Sequence, residues 1–150
     1  MSIAFESPNQ PELIALIEAL DAYQKPLYPA ESHHGIDINA LSQSNILFAV
    51  ARNHSQKAIG CAALSLKDSY AELKRMYVIP EYRCQGIGKQ LIAFLELAAL
   101  LKGYRHFMLE TGYLQTEALS LYQHCGYVRR TPFGDYIEDP NSVFMEKQLP

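Results

Sequence analysis

The spacing of apolar residues changes twice along the chain, and the changes divide it into elements. Leu13, Leu16, Ile17 and Leu20 recur at helical spacing, which predicts a helix over Pro11 to Ala22 with Pro11 in its first turn. Residues Gln24 to Gly35 carry Pro26, Pro29 and the pair His33-His34 and read as a loop, followed by a short helical segment from Ile38 to Ser42. The period then drops to two. Ile46 to Arg52 and Ala58 to Leu66 read as neighbouring strands joined by the polar turn Asn53 to Gln56, and Tyr70 to Val78 reads as a third strand stopped by Pro80.

Helical spacing returns from Lys89 to Lys102, ended by Gly103, and this helix is so apolar that the pattern predicts burial on nearly every side. A strand over His106 to Glu110, a helix over Gln115 to His124 stopped by Gly126, and short strands over Tyr127 to Arg130 and Val143 to Lys147 complete the reading. The order is helix, antiparallel meander, then helix, strand, helix and two strands. This predicts an α/β architecture with a mixed sheet. With 150 residues and no repeat or linker, residues 1–150 are expected to form a single domain.

Composition narrows the functional classes. The chain is 49% hydrophobic and 19% charged, which suits a globular protein. Its net charge of −3 gives no general electrostatic reason to bind nucleic acid or an anionic membrane, although Lys74, Arg75, Arg83 and Lys89 fall close enough for a local basic patch. Cys61, Cys84 and Cys125 are odd in number and widely spaced, which fits a reducing cytoplasm. The adjacent His33 and His34 lack the spacing of a metal site, so no metal is expected. The N-terminus lacks a signal-peptide pattern, and the apolar run from Leu91 to Leu101 is interrupted by Glu96 and too short to span a bilayer. A cytoplasmic protein, monomeric or homodimeric, is the expectation.

The chemistry concentrates between Leu73 and Ile92. That segment reads strand, proline stop, Arg83-Cys84-Gln85-Gly86-Ile87-Gly88, then helix. A helix N-terminus offers unpaired N–H groups and a partial positive charge, and glycines there let a phosphate approach the backbone. Gly86 and Gly88, with charge from Arg83 and Lys89, fit a pyrophosphate cradle; two glycines alone fit a tight strand-to-helix turn equally well. A P-loop would need Gly at position 83 and Ser or Thr at 90, and a dinucleotide fingerprint would need Gly at 91; none of these is present.

Leu73 to Ile92 resembles the acetyl-CoA-binding motif of the GNAT superfamily of N-acetyltransferases, whose Arg/Gln-x-x-Gly-x-Gly/Ala loop binds the pyrophosphate of coenzyme A. A second block agrees: Leu109-Glu110-Thr111, then Gln115, Ala118, Leu121-Tyr122 and Gly126-Tyr127, is similar to the family's following strand and helix. Within it, Gln115 stands where the family usually has Asn. The resemblance covers roughly Ile46 to Leu149, and the tail from Phe133 to Lys147 looks like that of small bacterial acetyltransferases.

The resemblance implies a mixed, mostly antiparallel central sheet flanked by helices, with a splay between the two central strands. It implies acetyl-CoA as cosubstrate, bound by the backbone of Met76, Tyr77 and Val78, by Arg83, Cys84, Gln85, Gly86, Ile87, Gly88 and Lys89, and by Gln115. It implies direct acetyl transfer to the primary amine of a small molecule or peptide. Tyr122 matches the family's general acid, and the N–H near Val78 can meet the oxyanion. Glu72 lies near where some relatives carry their catalytic base. Alternatively it is a strand carboxylate facing solvent and paired with Lys74 or Arg75, and Glu110 is then the other candidate base. Tyr28, His33, His34, Glu110 and Tyr136 are candidate acceptor contacts. The alternative to an enzyme is a non-catalytic acyl-CoA sensor.

Overall fold

The computed structural model describes residues 1–27, 29 and 37–150. Its strands are β1 (Ser2–Phe5), β2 (Ile46–Arg52), β3 (Ala58–Leu66), β4 (Ala71–Val78), β5 (His106–Gly112), β6 (Val128–Arg130) and β7 (Ser142–Gln148). Its helices are α1 (Pro11–Gln24), α2 (Ile38–Leu41), α3 (Ile87–Leu100) and α4 (Thr116–His124). The strands form one sheet in the order β1-β2-β3-β4-β5-β7-β6. Every neighbouring pair is antiparallel except β4–β5, which is parallel.

The parallel pair positions the site. β4 and β5 are in register only from Ala71 opposite Phe107 to Leu73 opposite Leu109. Beyond Leu73 the strands part: β4 continues to Val78 along β3, and β5 continues to Gly112 along β7. The expected splay is therefore present, and it opens at the carboxyl ends of the two central strands. A bulge marks its start. Between the pairs Cys61–Tyr77 and Ala63–Lys74, the single residue Ala62 of β3 faces two of β4, Arg75 and Met76, and Arg75 takes φ of 56°. A bulge adds local twist and turns a strand away from its neighbour.

Alternation along the strands sorts side chains to two faces. One face carries Ala49, Ala62, Leu64, Leu73, Leu109 and Met145, packed beneath Leu91, Ile92, Leu95 and Ala99 of α3 and Leu119 and Tyr122 of α4. The other carries Phe48, Val50, Cys61 and Ala63 against Leu13, Leu16 and Ile17 of α1. A smaller cluster of Met108, Phe133 and Phe144 with Tyr70 and Tyr136 occupies that same face beyond β4. Each fully buried leucine in these layers contributes about 1.5–3 kcal/mol relative to exposure.

Two expectations need correction. α3 is not buried all round: Leu97 is 59% exposed and Leu101, just after it, 82% exposed. Its inner face alone satisfies the sheet, so the outer leucines reach solvent. Ser2–Phe5 forms an edge strand that the period-two signal, too short over Met1 to Phe5, did not announce. Glu96, the polar break in α3, is buried and fully partnered. It accepts the Tyr127 hydroxyl at 2.8 Å and the Lys147 ammonium at 2.8 Å, which ties the helix to β7. Among the described residues no helix is long and apolar enough to cross a membrane.

Candidate active site

The loop from Pro80 to Gly86 delivers the chain from the free end of β4 to the start of α3. Pro80 opens a short 3-10 turn to Tyr82, and Cys84 and Gly86 then take φ of 62° and 81°. Gly86 is the N-cap of α3 and supplies no side chain to close it. Among the described residues, no protein acceptor takes the N–H groups of Gln85, Gly86, Ile87, Gly88 or Lys89. Four such orphan donors are the normal lot of a helix start, and here they stand at the mouth of the splay. A Cβ on Gly86 would meet nothing closer than Gln90 Nε2 at 3.8 Å, so its requirement is conformational. Gly88 differs: a Cβ there would lie 2.9 Å from Leu121 Cδ2, so this glycine lets α4 sit close beside α3.

The backbone on the β4 side of the gap has the complementary property. Ile79 donates its N–H to Ile59 of β3 at 3.0 Å, and Tyr77 lies opposite Cys61. Alternation then turns the N–H groups of Val78 and Met76 away from β3, toward the space that β5 has left. The Met76 side chain packs with the α3-side core and the Tyr77 side chain with the α1-side core, as strand geometry requires. The Arg83 guanidinium folds back across the loop, donating from Nε to the Val78 carbonyl at 2.8 Å and lying over the rings of Tyr77 and Tyr23.

The local basic patch that the sequence allowed does not assemble among the described residues. Arg75 pairs with Asp21 of α1, Lys74 with Glu72, and Arg83 with the Val78 carbonyl, leaving Lys89 exposed on the first turn of α3. Gln115 is buried at the start of α4, where its Oε1 accepts the N–H of Gly112 at 3.0 Å and the Thr111 hydroxyl at 3.3 Å. It braces the turn that follows β5.

Tyr122 lies on α4 beneath the gap, 6% exposed, with its ring edge-on to Tyr127. Among the described residues its hydroxyl has no protein partner, and no side-chain polar atom is both fully enclosed and unpartnered. The hydroxyl therefore reaches open space. Burial, then the nearby Cys125 and Glu110, push its pKa well above the ordinary phenol value, so it stays protonated.

Glu72 is not the solvent-facing carboxylate that the sequence allowed. It is 4% exposed, on the α1 side of the sheet, because its pairing partner Ser65 is itself buried there. Its Oε2 accepts the Tyr136 hydroxyl at 2.6 Å and the Lys74 ammonium at 3.2 Å, and Lys74 also bonds the Tyr136 oxygen at 3.0 Å. Burial, then the adjacent Glu72, raise the Tyr136 pKa far above its usual value. Glu110 lies half-buried at the open end of β5 and accepts the Ser142 hydroxyl at 2.7 Å. Its charge acts on both Tyr122 and Tyr136. Tyr28, His33 and His34 lie outside the described residues. Ser142 was not anticipated: a serine at a strand start carries no local signal for a partner on a different strand.

Comparison with known proteins agrees with this geometry. Residues 44–129 match the family profile described as "Acetyltransferase (GNAT) domain". An "IAA acetyltransferase" of Azospirillum brasilense is 43% identical, covering 99% of this chain and 98% of its own. A crystal structure carrying the name acyl-CoA N-acyltransferase, from Klebsiella pneumoniae, superposes with a TM-score of 0.84 at 36% identity, over 99% of this chain and 97% of the other. The PaiA N-acetyltransferase of Thermoplasma acidophilum, solved in complex with coenzyme A, shares the fold, with a TM-score of 0.73 at 23% identity over 99% of this chain and 100% of its own.

Proposed function

The chain belongs to the GNAT acetyltransferase family, and from that premise we propose that it moves the acetyl group of acetyl-CoA to a primary amine of a small molecule or peptide by direct transfer. The observation that carries the reading is the meeting of two sets of unpaired backbone groups. The amides at the start of α3 suit a diphosphate, and the parted edge of β4 suits the amides of a pantetheine arm.

Transfer to an amine forms an N–C bond and breaks a C–S bond. The amine nitrogen must first be unprotonated, the carbonyl oxygen takes up negative charge, and the sulfur departs with an electron pair. The N–H of Val78, turned into the gap, is placed to donate to the charged oxygen, an interaction that strengthens as charge develops. Tyr122 supplies the proton for sulfur. Its raised pKa does not forbid this, because the burial that disfavours a phenolate disfavours a bare thiolate equally. The amine's own proton leaves on the acceptor side, where Glu72 and Glu110 lie.

Arg83 takes a supporting place in this scheme. Its bond to the Val78 carbonyl fixes the last residue of β4 against the loop, so the oxyanion donor and the phosphate cradle move as one unit. The unpaired thiols of Cys61, Cys84 and Cys125 support a reducing compartment, in line with a cytoplasmic enzyme. The test is thiol release. With acetyl-CoA and a broad amine panel, coenzyme A should appear in an amine-dependent manner, and acetyl-CoA alone should raise the melting temperature. Saturating acetyl-CoA that gives neither a melting shift nor amine-dependent thiol would remove the reading.

A further inference from the structure

Arg83 stands in the loop just ahead of the open amides of α3, and groups from three other elements meet on its side chain. Its Nε donates to the Val78 carbonyl of β4 at 2.8 Å. Its guanidinium carbon lies 5.4 Å from the ring centre of Tyr77, also of β4, and 5.7 Å from that of Tyr23. Tyr23 is exposed and belongs to the last turn of α1, far from the loop in sequence. The end of that helix is held in place by Leu20, buried beneath it, and by the pairing of Asp21 with Arg75 of β4. Across the gap, Glu117 of α4 stands 4.0 Å from the Arg83 Nη1. Its side chain is 75% exposed, so this pair holds the guanidinium only weakly. Among the described residues no protein acceptor takes the Arg83 Nη2.

We propose that Tyr23 is a positioning residue for the cosubstrate: with Tyr77, its ring supports the Arg83 guanidinium, so that the open Nη2 is presented to an anionic oxygen of the coenzyme A diphosphate. This deepens the acetyl-transfer reading and rests on it. A guanidinium is planar. It can lie against aromatic rings and still donate N–H groups from its edge to an anion, so the two contacts do not compete. A free arginine side chain samples many rotamers, and ordering it when a ligand binds weakens affinity. Here the Val78 carbonyl fixes Nε and the two rings steady the remainder, so the cation is ordered before the diphosphate arrives. Tyr77 also lends its backbone to the parted strand, whereas Tyr23 lies on another element. Substitution at Tyr23 therefore tests the ring contact without disturbing β4.

Calorimetric titration of the full chain with coenzyme A tests this, comparing the parent with Tyr23→Leu, Tyr23→Phe, Arg83→Gln and the double variant of Tyr23→Leu with Arg83→Gln. Tyr23→Leu should raise the Kd about threefold, the scale of one exposed contact between a cation and a ring. Tyr23→Phe keeps the ring and should match the parent. Arg83→Gln should raise the Kd about tenfold, as expected for one lost charge-assisted hydrogen bond. Adding Tyr23→Leu to Arg83→Gln should cost nothing more, because the ring then has no cation to support. A general loosening of α1 or the loop would instead weaken binding to the same extent whether or not Arg83 is present. That additive result would overturn the proposal, as would an unchanged Kd in Tyr23→Leu or a Tyr23→Phe as weak as Tyr23→Leu. Should Tyr23→Leu fail to fold, Tyr23→Met decides by the same comparison. A parent chain that binds no coenzyme A would remove the acetyl-transfer reading, and this inference with it.

Discussion

The two halves of the site are built from different materials. The proposed cosubstrate half is one contiguous segment, from Met76 through Lys89, and the groups it would use are backbone N–H groups left open by a parting strand and a helix start. The proposed acceptor half draws on β4, β5, β7 and the segment before β7, and the groups it would use are side chains: Glu72, Lys74, Glu110, Tyr136 and Ser142. Backbone geometry tolerates much variation in side chains, so the first half can stay constant while the second changes partner. A fold that separates them in this way can keep one acetyl donor and serve many amines.

Breaking either half should therefore give a different kinetic signature. The largest effect is expected from Tyr122→Phe, which keeps the ring packing against Tyr127 and removes the proposed proton donor. Turnover should fall by about 100-fold or more, with acetyl-CoA affinity by calorimetry unchanged. Next is Gly86→Val, which puts a β-branched residue at φ of 81°. It should cost about 1–2 kcal/mol of stability in denaturant titration and weaken acetyl-CoA binding about tenfold, while the amine KM stays put.

Ser142→Ala removes the bond that steadies Glu110 and should do the reverse. The amine KM should rise about threefold to tenfold, the worth of one hydrogen bond to a carboxylate, with acetyl-CoA binding intact. The smallest expected change is chemical. Cys84, exposed on the loop, should react with a maleimide and be shielded by coenzyme A. Cys61, whose thiol burial pushes up to about 12, should label only after unfolding. Mass spectrometry of the labelled chain reads both.

The same division explains what could be read from the amino-acid sequence. Local rules set β2, β3 and α3, and the observed bounds of β2 and β3, Ile46–Arg52 and Ala58–Leu66, are those that period-two alternation indicates. The strand-to-helix turn with Gly86 at the start of α3 was legible because it lies in consecutive residues. One of its glycines nevertheless serves packing: Gly88 makes room for Leu121, a residue more than thirty positions away. The hydrogen bond from Tyr136 to Glu72 was not legible. Glu72 and Tyr136 are 64 positions apart, and alternation assigns Glu72 to a face without saying that the segment from Thr131 to Asn141 folds over it. The outer leucines of α3 misled for a related reason, since apolar content does not say which side meets the sheet.

The account stands most directly on the free amides ahead of Leu91, and heteronuclear NMR of the backbone reads them one by one. Titration with coenzyme A should move the N–H resonances of Gly86, Ile87, Gly88 and Lys89 strongly downfield, as expected for donors gaining a charged acceptor, and pantetheine without the diphosphate should leave them in place. Coenzyme A that binds with those four resonances unmoved would contradict the account, because the diphosphate would then be held elsewhere.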